Sequence, residues 1–361
     1  MEYKVKECVR QSVYSDLLEI ASTNIDWSAL KNSAVLITGA AGFIGFYLCA
    51  ALALRNDLHG DGIKVTALVR NGEKARAKFG RLLERGDITL CIQDVTQPVN
   101  AERADYVIHA ASQASNIQFE TDPVGTINAN LAGTSNVLEF ARSSKSKAAL
   151  IVSSLKVYGV IYGSKKSISE DDGGYLDFTS YKNCYAMGKR ASETLAASYC
   201  REYGMNVRLV RPGYIYGASS LSDDRVWAQF IANVVRRQDI LLKSNGAANR
   251  SFCYVTDTVS AMLFVLLNGK NAVPYNISNE KSNTTIRGFA KAACDAFPDR
   301  GIKLVFADPK DEPEPQTVDS PLSQVPEILD NSRILALGWQ PRVDLTEGIK
   351  RSVATLEESF G

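Results

Sequence analysis

The chain has 361 residues, and its 41 lysine and arginine residues against 40 aspartate and glutamate residues exclude a broad electrostatic field for nucleic acid. Its seven cysteines form no Cys-x-x-Cys motif and no Cys/His cluster, so the sequence argues against a structural metal and for a reducing compartment. No segment reaches the ~18 apolar residues of a membrane helix, and the first residues lack an apolar signal core, so we expect a cytoplasmic protein without membrane insertion.

Residues 1–33 precede the first predicted strand. Apolar residues at helical spacing predict a helix over residues 13–21, and residues 26–28 begin a second short turn or helix. We expect this N-terminal helical extension to pack on the domain that follows it or on a partner subunit.

A glycine-rich motif at residues 38–45 follows the apolar run 34–37 and opens a mostly apolar helix. Gly39 permits a tight turn, Gly42 lets the backbone approach a diphosphate, and Gly45 lets the helix pack closely on the strand. The N-terminus of the helix then faces the anion. This strand, turn and helix pattern predicts a dinucleotide site, although glycine-rich turns also open helices that bind nothing.

The second predicted strand, residues 64–69, ends at Arg70, where an NAD-preferring site usually carries an acid for the ribose hydroxyls. Arg70 would instead meet a 2′-phosphate, so the sequence favours NADP over NAD; a solvated arginine is the alternative. The third strand, residues 88–92, leads to Asp94. This carboxylate would accept a hydrogen bond from the adenine amino group, or it caps a turn.

The fourth predicted strand lies within residues 105–112 and ends in small residues, among them Ala110 and Ala111. Their size would let the cofactor lie against the backbone. His109, inside the apolar part of this strand, is expected to be a packed core residue, because a histidine in such a run is more often buried than catalytic.

The candidate acid/base residues are Ser154, which follows the strand at 149–152, and the pair Tyr185 and Lys189. Open parallel sheets bind ligands at the carboxyl ends of their strands, where Ser154 lies. Tyr185 and Lys189 are four apart, so they share one face of a helix. A nearby cation favours the phenolate, so Lys189 would make Tyr185 a usable base and also donate to the nicotinamide ribose. Ser154 would hydrogen-bond the reacting oxygen, although a tyrosine and a lysine at this spacing also occur by chance.

Over about residues 34–350 the chain resembles the extended short-chain dehydrogenase/reductase family, specifically its nucleotide-sugar epimerase and dehydratase branch. The resemblance is carried by the segments Thr38 to Gly45, Asp94-Val95, His109-Ala-Ala, Asn130 to Thr134, Ser153-Ser154, Val157-Tyr158-Gly159, Tyr185-x-x-x-Lys189, Arg211-Pro212, Tyr216-Gly217, Arg250 to Asp257 and Leu337 to Pro341. It implies an α/β fold in which a Rossmann doubly wound parallel sheet is joined to a smaller α/β carboxyl-terminal substrate domain.

The resemblance also implies domain boundaries, ligands and partners. It divides the chain into the extension 1–33, a Rossmann domain of residues 34–212 and about 252–279, and a nucleotide-sugar-binding domain of about 213–251 and 280–361. It suggests homodimers through a helix at 181–203. It places at the cofactor Phe43, Ile44, Val95 and Asn130, together with Gly39, Gly42, Gly45, Arg70, Asp94, Ala110, Ala111 and Lys189. Arg225 and Arg250 are candidates for gripping the diphosphate of a nucleotide sugar, because guanidinium groups match phosphate oxygens.

Two departures from the family concern the substrate side. Leu155-Lys156 stands where sugar 4,6-dehydratases carry Asp-Glu and where the related decarboxylases carry Glu at the second place. A dehydratase needs a carboxylate for the C5 proton, so this pair weakens both readings. Lys156 is interpreted as an accessory acid, a partner for a charged substrate group, or a solvent-facing loop residue. Tyr214 replaces the usual asparagine and would change the shape of the pocket.

The leading functional prediction is a 4-epimerase that oxidises the sugar at C4. This reaction needs Ser154, Tyr185 and Lys189 but no additional carboxylate. A 4-keto-sugar reductase with exchangeable NADPH would suit Arg70, and a 4,6-dehydratase remains open if another acid serves. A different class, a non-catalytic dinucleotide-binding sensor or scaffold, is less favoured because such proteins commonly lose the tyrosine or the lysine.

Overall fold

The computed structural model describes residues 3–308 and 324–358. Its central sheet has seven strands in the order β10-β6-β5-β4-β1-β2-β3, and all neighbouring pairs are parallel. These strands are β1 (Ala34–Thr38), β2 (Lys64–Val69), β3 (Ile88–Ile92), β4 (Tyr106–His109), β5 (Ala148–Val152), β6 (Val207–Pro212) and β10 (Pro274–Ile277). The predicted Rossmann sheet is therefore confirmed.

Helices cover both faces of this sheet, and others accompany the strands of the carboxyl-terminal part. They are α1 (Val5–Cys8), α2 (Gln11–Ala21), α3 (Phe43–His59), α4 (Gly72–Phe79), α5 (Asn116–Thr121), α6 (Pro123–Ser143), α7 (Cys184–Tyr203), α8 (Val226–Val235), α9 (Val255–Asn268), α10 (Ile286–Asp295), α11 (Ser332–Ala336) and α12 (Leu345–Glu357). Side chains alternate across β1, so Val35 belongs to the apolar cluster that contains Leu48 of α3, whereas Leu36 belongs to the cluster that contains Val137 of α6. A sheet buried on both faces explains its nearly continuous apolar strands.

Local signals mark the ends of the helices that carry the site. Asp122 caps α6, where its side chain accepts a 3.0 Å hydrogen bond from the N–H of Gly125, and proline occupies the first helical position. Gly204 ends α7 in the left-handed conformation, with φ of 64°. None of the helices in the described part of the chain is long and apolar enough to cross a membrane.

The N-terminal extension packs on the Rossmann part of the same chain. Helix α2 lies against α3 and α9, in agreement with the expected helix over residues 13–21. Its Asp16 is buried and accepts a 2.8 Å hydrogen bond from Tyr254. The buried guanidinium of Arg85 bonds to the Tyr3 carbonyl at 2.6 Å and forms ion pairs with Asp57 and Asp87. The extension is thus an integral layer of the fold.

The carboxyl-terminal part forms two small sheets beside the central one. The strands β7 (Tyr214–Tyr216), β9 (Asn249–Tyr254) and β11 (Asn283–Thr285) form one sheet, and β8 (Ile240–Leu242) pairs with β12 (Leu304–Phe306). Helices α8, α10 and α12 pack together beside these strands. The boundaries between the Rossmann domain and the nucleotide-sugar-binding domain remain a prediction.

Residues 324–331 form a segment that pairs both with the loop after β5 and with strand β9. Isolated bridges join Tyr162 to Gln324, Ile168 to Leu329, and Arg250 to Glu327. Apolar side chains from both sides of these bridges form a separate small cluster that comprises Leu155, Val157, Tyr158, Ile168, Val325 and Leu329. This packing brings Glu327 close to the carboxyl end of β5.

Candidate active site

The turn between β1 and α3 is shaped by its glycines. Gly39 has φ of 67°, and a Cβ atom there would lie 2.8 Å from the Ala110 carbonyl oxygen. A Cβ atom on Gly45 would lie only 2.3 Å from the Gly39 carbonyl oxygen, so the first turn of α3 packs directly on the turn that follows β1. The backbone is therefore close to its neighbours on one side and open to a cavity on the other.

Two adjoining cavities open at the carboxyl edge of the sheet. One, of about 430 Å³, is lined by Gly39, Gly42, Phe43, Ile44 and Gly45, together with Ala110 and the segment Ser220 to Arg225. The other, of about 450 Å³, contains the candidate acid/base residues and shares Ile44, Ala110, Val152, Ile215 and Arg225 with the first. A dinucleotide fits this arrangement, since its diphosphate needs exposed backbone N–H groups at a helix N-terminus and its reactive ring must reach the second cavity.

Five predicted cofactor residues are absent from the walls of these two cavities: Arg70, Asp94, Val95, Ala111 and Asn130. Arg70 is exposed at the end of β2. Asp94 accepts hydrogen bonds from the N–H and hydroxyl of Thr96 at 2.9 and 2.8 Å, and these bonds hold its pKa below the ordinary value. Of the two alternatives for Asp94, the turn cap is the one present. A role at the adenine stays a prediction.

Three further residues of the cofactor prediction are packed between elements. Val95 is buried against Gly133 of α6. The buried Asn130 accepts a 3.0 Å hydrogen bond from Ser112, which does line both cavities. The N–H of Ala111 donates to the hydroxyl of Thr38 at 3.1 Å. These residues support the cavity wall from behind.

His109 is a core residue, as its sequence environment indicated. It is buried, and its Nδ1 atom lies 2.7 Å from the hydroxyl of Thr38. Burial lowers the pKa of His109 to about 3, with Lys189 adding to the effect, so the imidazole is neutral at physiological pH.

The three candidate acid/base residues lie together in the 450 Å³ cavity. Ser154 is positioned at the end of β5, where its hydroxyl hydrogen-bonds to Tyr185. The Lys189 ammonium donates a 2.7 Å hydrogen bond to the Val152 carbonyl and lies 5.8 Å from the centre of the Tyr185 ring. Phe119 stacks on the same ring with centroids 4.9 Å apart. The predicted face shared by Tyr185 and Lys189 is therefore present.

The surroundings of Tyr185 act on the pKa of its phenol in opposite directions. Burial raises the pKa of its phenol, whereas the hydrogen bond from Ser154 and the charge of Lys156 oppose the rise. Burial lowers the pKa of Lys189 to about 8. Lys156 thus acts on the phenol as a cation, and the expected role of Lys189, which lies 5.8 Å from the Tyr185 ring centre, stays a prediction.

Lys156 belongs to a polar cluster with Tyr214, Arg250 and Glu327. Its ammonium lies 2.8 Å from Glu327 Oε1 and 3.1 Å from the Tyr214 hydroxyl. Arg250 Nη1 lies 3.0 Å from Glu327 Oε2, and the Tyr214 hydroxyl donates to the same oxygen. One carboxylate thus joins three residues of the cavity wall.

The ionisation of this cluster follows from its contacts. Burial opposes the charge of Lys156, but Tyr214 and Glu327 raise its pKa above the ordinary value. Burial likewise acts against the carboxylate of Glu327, but Lys156 and Arg250 hold its pKa below the ordinary value. Lys156 is therefore protonated and Glu327 ionised across the physiological range.

Glu327 is the residue that sequence reasoning missed. It stands 171 positions from Lys156 in the chain, and no motif marks it. Only the pairing of residues 324–331 with the loop after β5 brings it to the site. The one indirect signal was Lys156 itself. It stands where the family carries an acid, which indicated that a carboxylate from another segment of the chain would pair with it.

The cavity wall is cationic. Lys156, Lys189, Arg225 and Arg250 line it, with Asp224 as the one carboxylate among its described lining residues. Arg225 pairs with Asp223 at 2.5 Å, and its guanidinium lies 4.5 Å from the Trp227 ring centre. Such a wall suits an anionic ligand. Among the residues that the structure describes, no cluster of histidine, cysteine or acidic side chains is arranged to hold a metal ion.

Comparison with known proteins agrees with this geometry. Residues 35–278 match the NAD dependent epimerase/dehydratase family. UDP-glucuronic acid decarboxylase 6 of Arabidopsis thaliana is 32% identical over 334 residues, which cover 91% of this chain and 89% of that protein.

Two solved structures share the fold. UDP-glucose 4-epimerase of Thermotoga maritima, solved with UDP-glucose, has a TM-score of 0.73 and 22% identity over 91% of this chain and 100% of that one. The dTDP-glucose 4,6-dehydratase DesIV of Streptomyces venezuelae, solved with NAD, has a TM-score of 0.72 and 23% identity over 90% of this chain and 97% of that one. The glycine turn, the parallel sheet and the sequence match support the same assignment. The chain belongs to the NAD dependent epimerase/dehydratase family, whose members are NAD(P)-dependent enzymes that modify nucleotide sugars.

Proposed function

We propose that the protein oxidises and reduces a nucleotide diphosphate sugar at C4, and that its net reaction is 4-epimerisation. The observation that carries this proposal is the placement of Ser154, Tyr185 and Lys189 in one cavity that adjoins the glycine turn. Ser154 bonds to Tyr185, and Lys189 bonds to the Val152 carbonyl at the end of β5.

The acid/base roles follow from these contacts. Tyr185 removes the proton of the C4 hydroxyl and later returns it, while Ser154 holds the reacting oxygen by a hydrogen bond. Lys189, anchored on Val152, orients the cofactor ribose. NAD(P), when bound, supplies the capacity to accept a hydride and give it back. Gly39, Gly42 and the first turn of α3 would hold its diphosphate.

The substrate diphosphate would be held by Arg225 and Arg250, which both line the 450 Å³ cavity. Arg250 is held in place by Glu327 and lies 4.9 Å from the Tyr214 ring centre. Tyr214 lines the same cavity and would contact the sugar. This orientation leaves C4 close to Ser154 and Tyr185, which line the same cavity.

Epimerisation is favoured over dehydration because a dehydratase needs a free carboxylate near C5. Leu155 occupies the first of the two places where dehydratases carry acids, and it is buried with only 4% exposure. Glu327 is engaged by Lys156, Arg250 and Tyr214 and does not line the cavity, so it is poorly placed as a base. An epimerase requires only that the keto sugar turn over within the cavity.

A second candidate is decarboxylation of a nucleotide hexuronate. It is favoured by the 32% identity to the Arabidopsis UDP-glucuronic acid decarboxylase and by the cationic Lys156 near Ser154. After oxidation at C4 the C6 carboxylate is β to a ketone. Its C5–C6 bond can then break, with the electron pair passing to the C4–C5 enolate and carbon dioxide leaving.

The first experiment is to denature the purified protein and identify the nucleotides that it releases by mass spectrometry. Stoichiometric NAD(P)+ would support a cofactor that is recycled within each turnover, as in an epimerase. An empty site that takes up NADPH would favour a reductase, and the absence of affinity for either dinucleotide would exclude the proposal.

The second experiment identifies the product. UDP- and dTDP-hexoses and a UDP-hexuronate are incubated with the wild type and with Tyr185→Phe as the inactive control. A product of unchanged mass and altered configuration supports epimerisation, loss of carbon dioxide supports the second candidate, and loss of water supports a dehydratase. The expected homodimer through α7 is a separate proposal, which sedimentation equilibrium would test.

A further inference from the structure

We propose that the protein has a second ligand site, separate from the acid/base residues, which binds a small carboxylate that also carries an amino or hydroxyl group. The site is a cavity of about 210 Å³ between the N-terminal extension, helix α9 and the segment that joins α11 to α12. None of its described lining residues lines either of the two cavities of the candidate active site. The inference therefore goes beyond the proposed function and does not depend on it.

Three parts of the chain build this cavity. The extension supplies Glu19 and Asn24, α9 supplies Thr256 and Phe264, and the segment between α11 and α12 supplies Trp339. At about 30 Å³ for each water, the cavity has room for about seven of them, so it is larger than a site for one structural water. A ligand in this space would contact the extension and the two other parts at once.

Two polar side chains of the wall have a buried atom without a hydrogen-bond partner among the described residues. Thr256 is only 1% exposed, and its hydroxyl is unpartnered. Oε1 of Glu19 is also buried and unpartnered, whereas the other side of this carboxylate, Oε2, pairs with Arg351 at 2.6 Å. Buried polar atoms that stay unpaired cost free energy. A ligand that donates a hydrogen bond to Glu19 and bonds to Thr256 would remove this cost.

Arg342 adds a cation to the same wall. It is exposed, and its Nη1 atom donates a 3.0 Å hydrogen bond to the Ser22 hydroxyl. Asp257 accepts a hydrogen bond from the backbone N–H of Arg342, and within the described residues no carboxylate forms an ion pair with the guanidinium. A guanidinium with free donors matches the two oxygens of a carboxylate. The ligand is therefore expected to carry an anionic group at this end of the cavity.

The aromatic part of the wall limits the ligand to a short hydrocarbon portion. Phe264 and Trp339 are both buried and line the cavity. The indole N–H of Trp339 donates to the Ser260 hydroxyl at 3.0 Å, so its one donor is already used and its ring offers only apolar contacts. A small amino acid or hydroxy acid meets all three requirements, because it combines a donor, a carboxylate and a short apolar group.

The first test is the binding of four matched probes, measured by ligand-detected NMR and isothermal titration calorimetry. L-alanine and L-lactate carry a donor, a carboxylate and a methyl group, whereas propionate lacks the donor and isopropanol lacks the carboxylate. We expect saturable binding of alanine or lactate, and about tenfold weaker binding of propionate and isopropanol. Tighter binding of alanine would identify an amino group as the donor, and tighter binding of lactate a hydroxyl group. Absence of saturable binding of both would overturn the inference, since the cavity would then hold only water.

The second test removes the unpartnered hydroxyl. Thr256→Val keeps the shape of the side chain, and because the hydroxyl has no partner in the protein we expect no loss of stability in urea denaturation but about tenfold weaker binding of the preferred probe. Thr258→Val is the matched control on the same helix. The hydroxyl of Thr258 donates to the Tyr254 carbonyl at 3.1 Å and does not line the cavity, so this variant should lose stability and keep the wild-type affinity. Wild-type affinity in Thr256→Val would overturn the inference.

The third test concerns the carboxylate. Arg342→Gln keeps the backbone N–H that bonds to Asp257 but removes the charge, so we expect about tenfold weaker binding of alanine and lactate and unchanged binding of isopropanol. An equal loss for all probes would mean that the substitution disturbs the cavity, and unchanged binding of alanine and lactate would mean that the guanidinium is not used; either result would overturn the assignment of a carboxylate ligand. These measurements need neither dinucleotide nor nucleotide sugar, so their outcome is independent of the proposed function.

Discussion

The ammonium of Lys189 donates a 2.7 Å hydrogen bond to the backbone carbonyl of Val152, the last residue of β5. This bond crosses from α7 to the sheet and fixes the helix at the point where the strand ends. Ser154 follows two residues later, so the same strand end sets the position of both Lys189 and Ser154. The geometry of the acid/base residues is therefore determined by how α7 sits on β5.

Replacement of Tyr185 by phenylalanine is expected to lower kcat by about 10²–10⁴-fold, because the hydroxyl that moves the proton is removed while the ring that packs on Phe119 remains. Dinucleotide affinity should stay close to that of the wild type. Steady-state kinetics and fluorescence titration with NADH and NADPH measure the two effects. Tyr203→Phe, a change on the exposed end of the same helix, is the matched control and should leave both unchanged.

The glycine turn gives a second prediction. In Gly45→Ala the new methyl group would lie 2.3 Å from the Gly39 carbonyl oxygen and 2.7 Å from Ala40 Cα, so the backbone of the turn must shift. We expect a loss of about 1–3 kcal/mol in the free energy of unfolding, with weaker dinucleotide binding. Urea denaturation and fluorescence titration test this.

The control for that change is Gly173→Ala. A Cβ atom there meets nothing within 4 Å, so the substitution is expected to be tolerated. If both substitutions lowered the free energy of unfolding equally, the close packing at Gly45 would not be the cause of the loss.

The elements that were predictable from the sequence are those whose signals are local. The apolar runs of β2 and β3, the spacing of Gly39 and Gly45, and the four-residue interval between Tyr185 and Lys189 each specify a structure through neighbouring residues. Glu327 could not be predicted in this way, because its contact with Lys156 depends on a segment that returns to the site 171 residues later.

Electrostatics was the other part that local patterns could not supply. The spacing of Tyr185 and Lys189 could not show that burial lowers the pKa of Lys189 or that tertiary contacts raise that of Lys156. Such shifts depend on the surroundings of each group in three dimensions. Motif spacing thus located the acid/base residues but not the balance of charge among them.

Arg70 carries the predicted preference for NADP. It is exposed at the end of β2, where a guanidinium would meet a 2′-phosphate. Arg70→Ala is expected to weaken binding of NADPH about tenfold while changing that of NADH little, as measured by fluorescence titration. Arg76→Ala, which removes an exposed arginine from the neighbouring α4, should change neither affinity. Equal losses for both dinucleotides in Arg70→Ala would contradict the preference.

Asp257 at the start of α9 provides a pH-dependent prediction for stability. It is buried and accepts hydrogen bonds from the backbone N–H groups of Arg342 and Val343 at 2.8 and 3.1 Å. Burial raises its pKa to about 7, above the ordinary value for a carboxyl group. Folding therefore favours the protonated form, and the stability that this proton contributes is present in full below about pH 4 and is lost as the pH rises through 7.

Asp257→Asn removes the titration, so the difference in free energy of unfolding between the wild type and this variant must depend on pH. We expect the wild type to lose about 2–3 kcal/mol relative to Asp257→Asn between pH 5 and pH 8, as measured by urea denaturation at each pH. Asp295→Asn, at a carboxylate whose side chain is 61% exposed, is the control and should keep a constant difference from the wild type. A constant difference for Asp257→Asn as well would mean that the buried carboxyl group does not exchange its proton in this range, and that its two backbone donors, rather than burial, set its pKa.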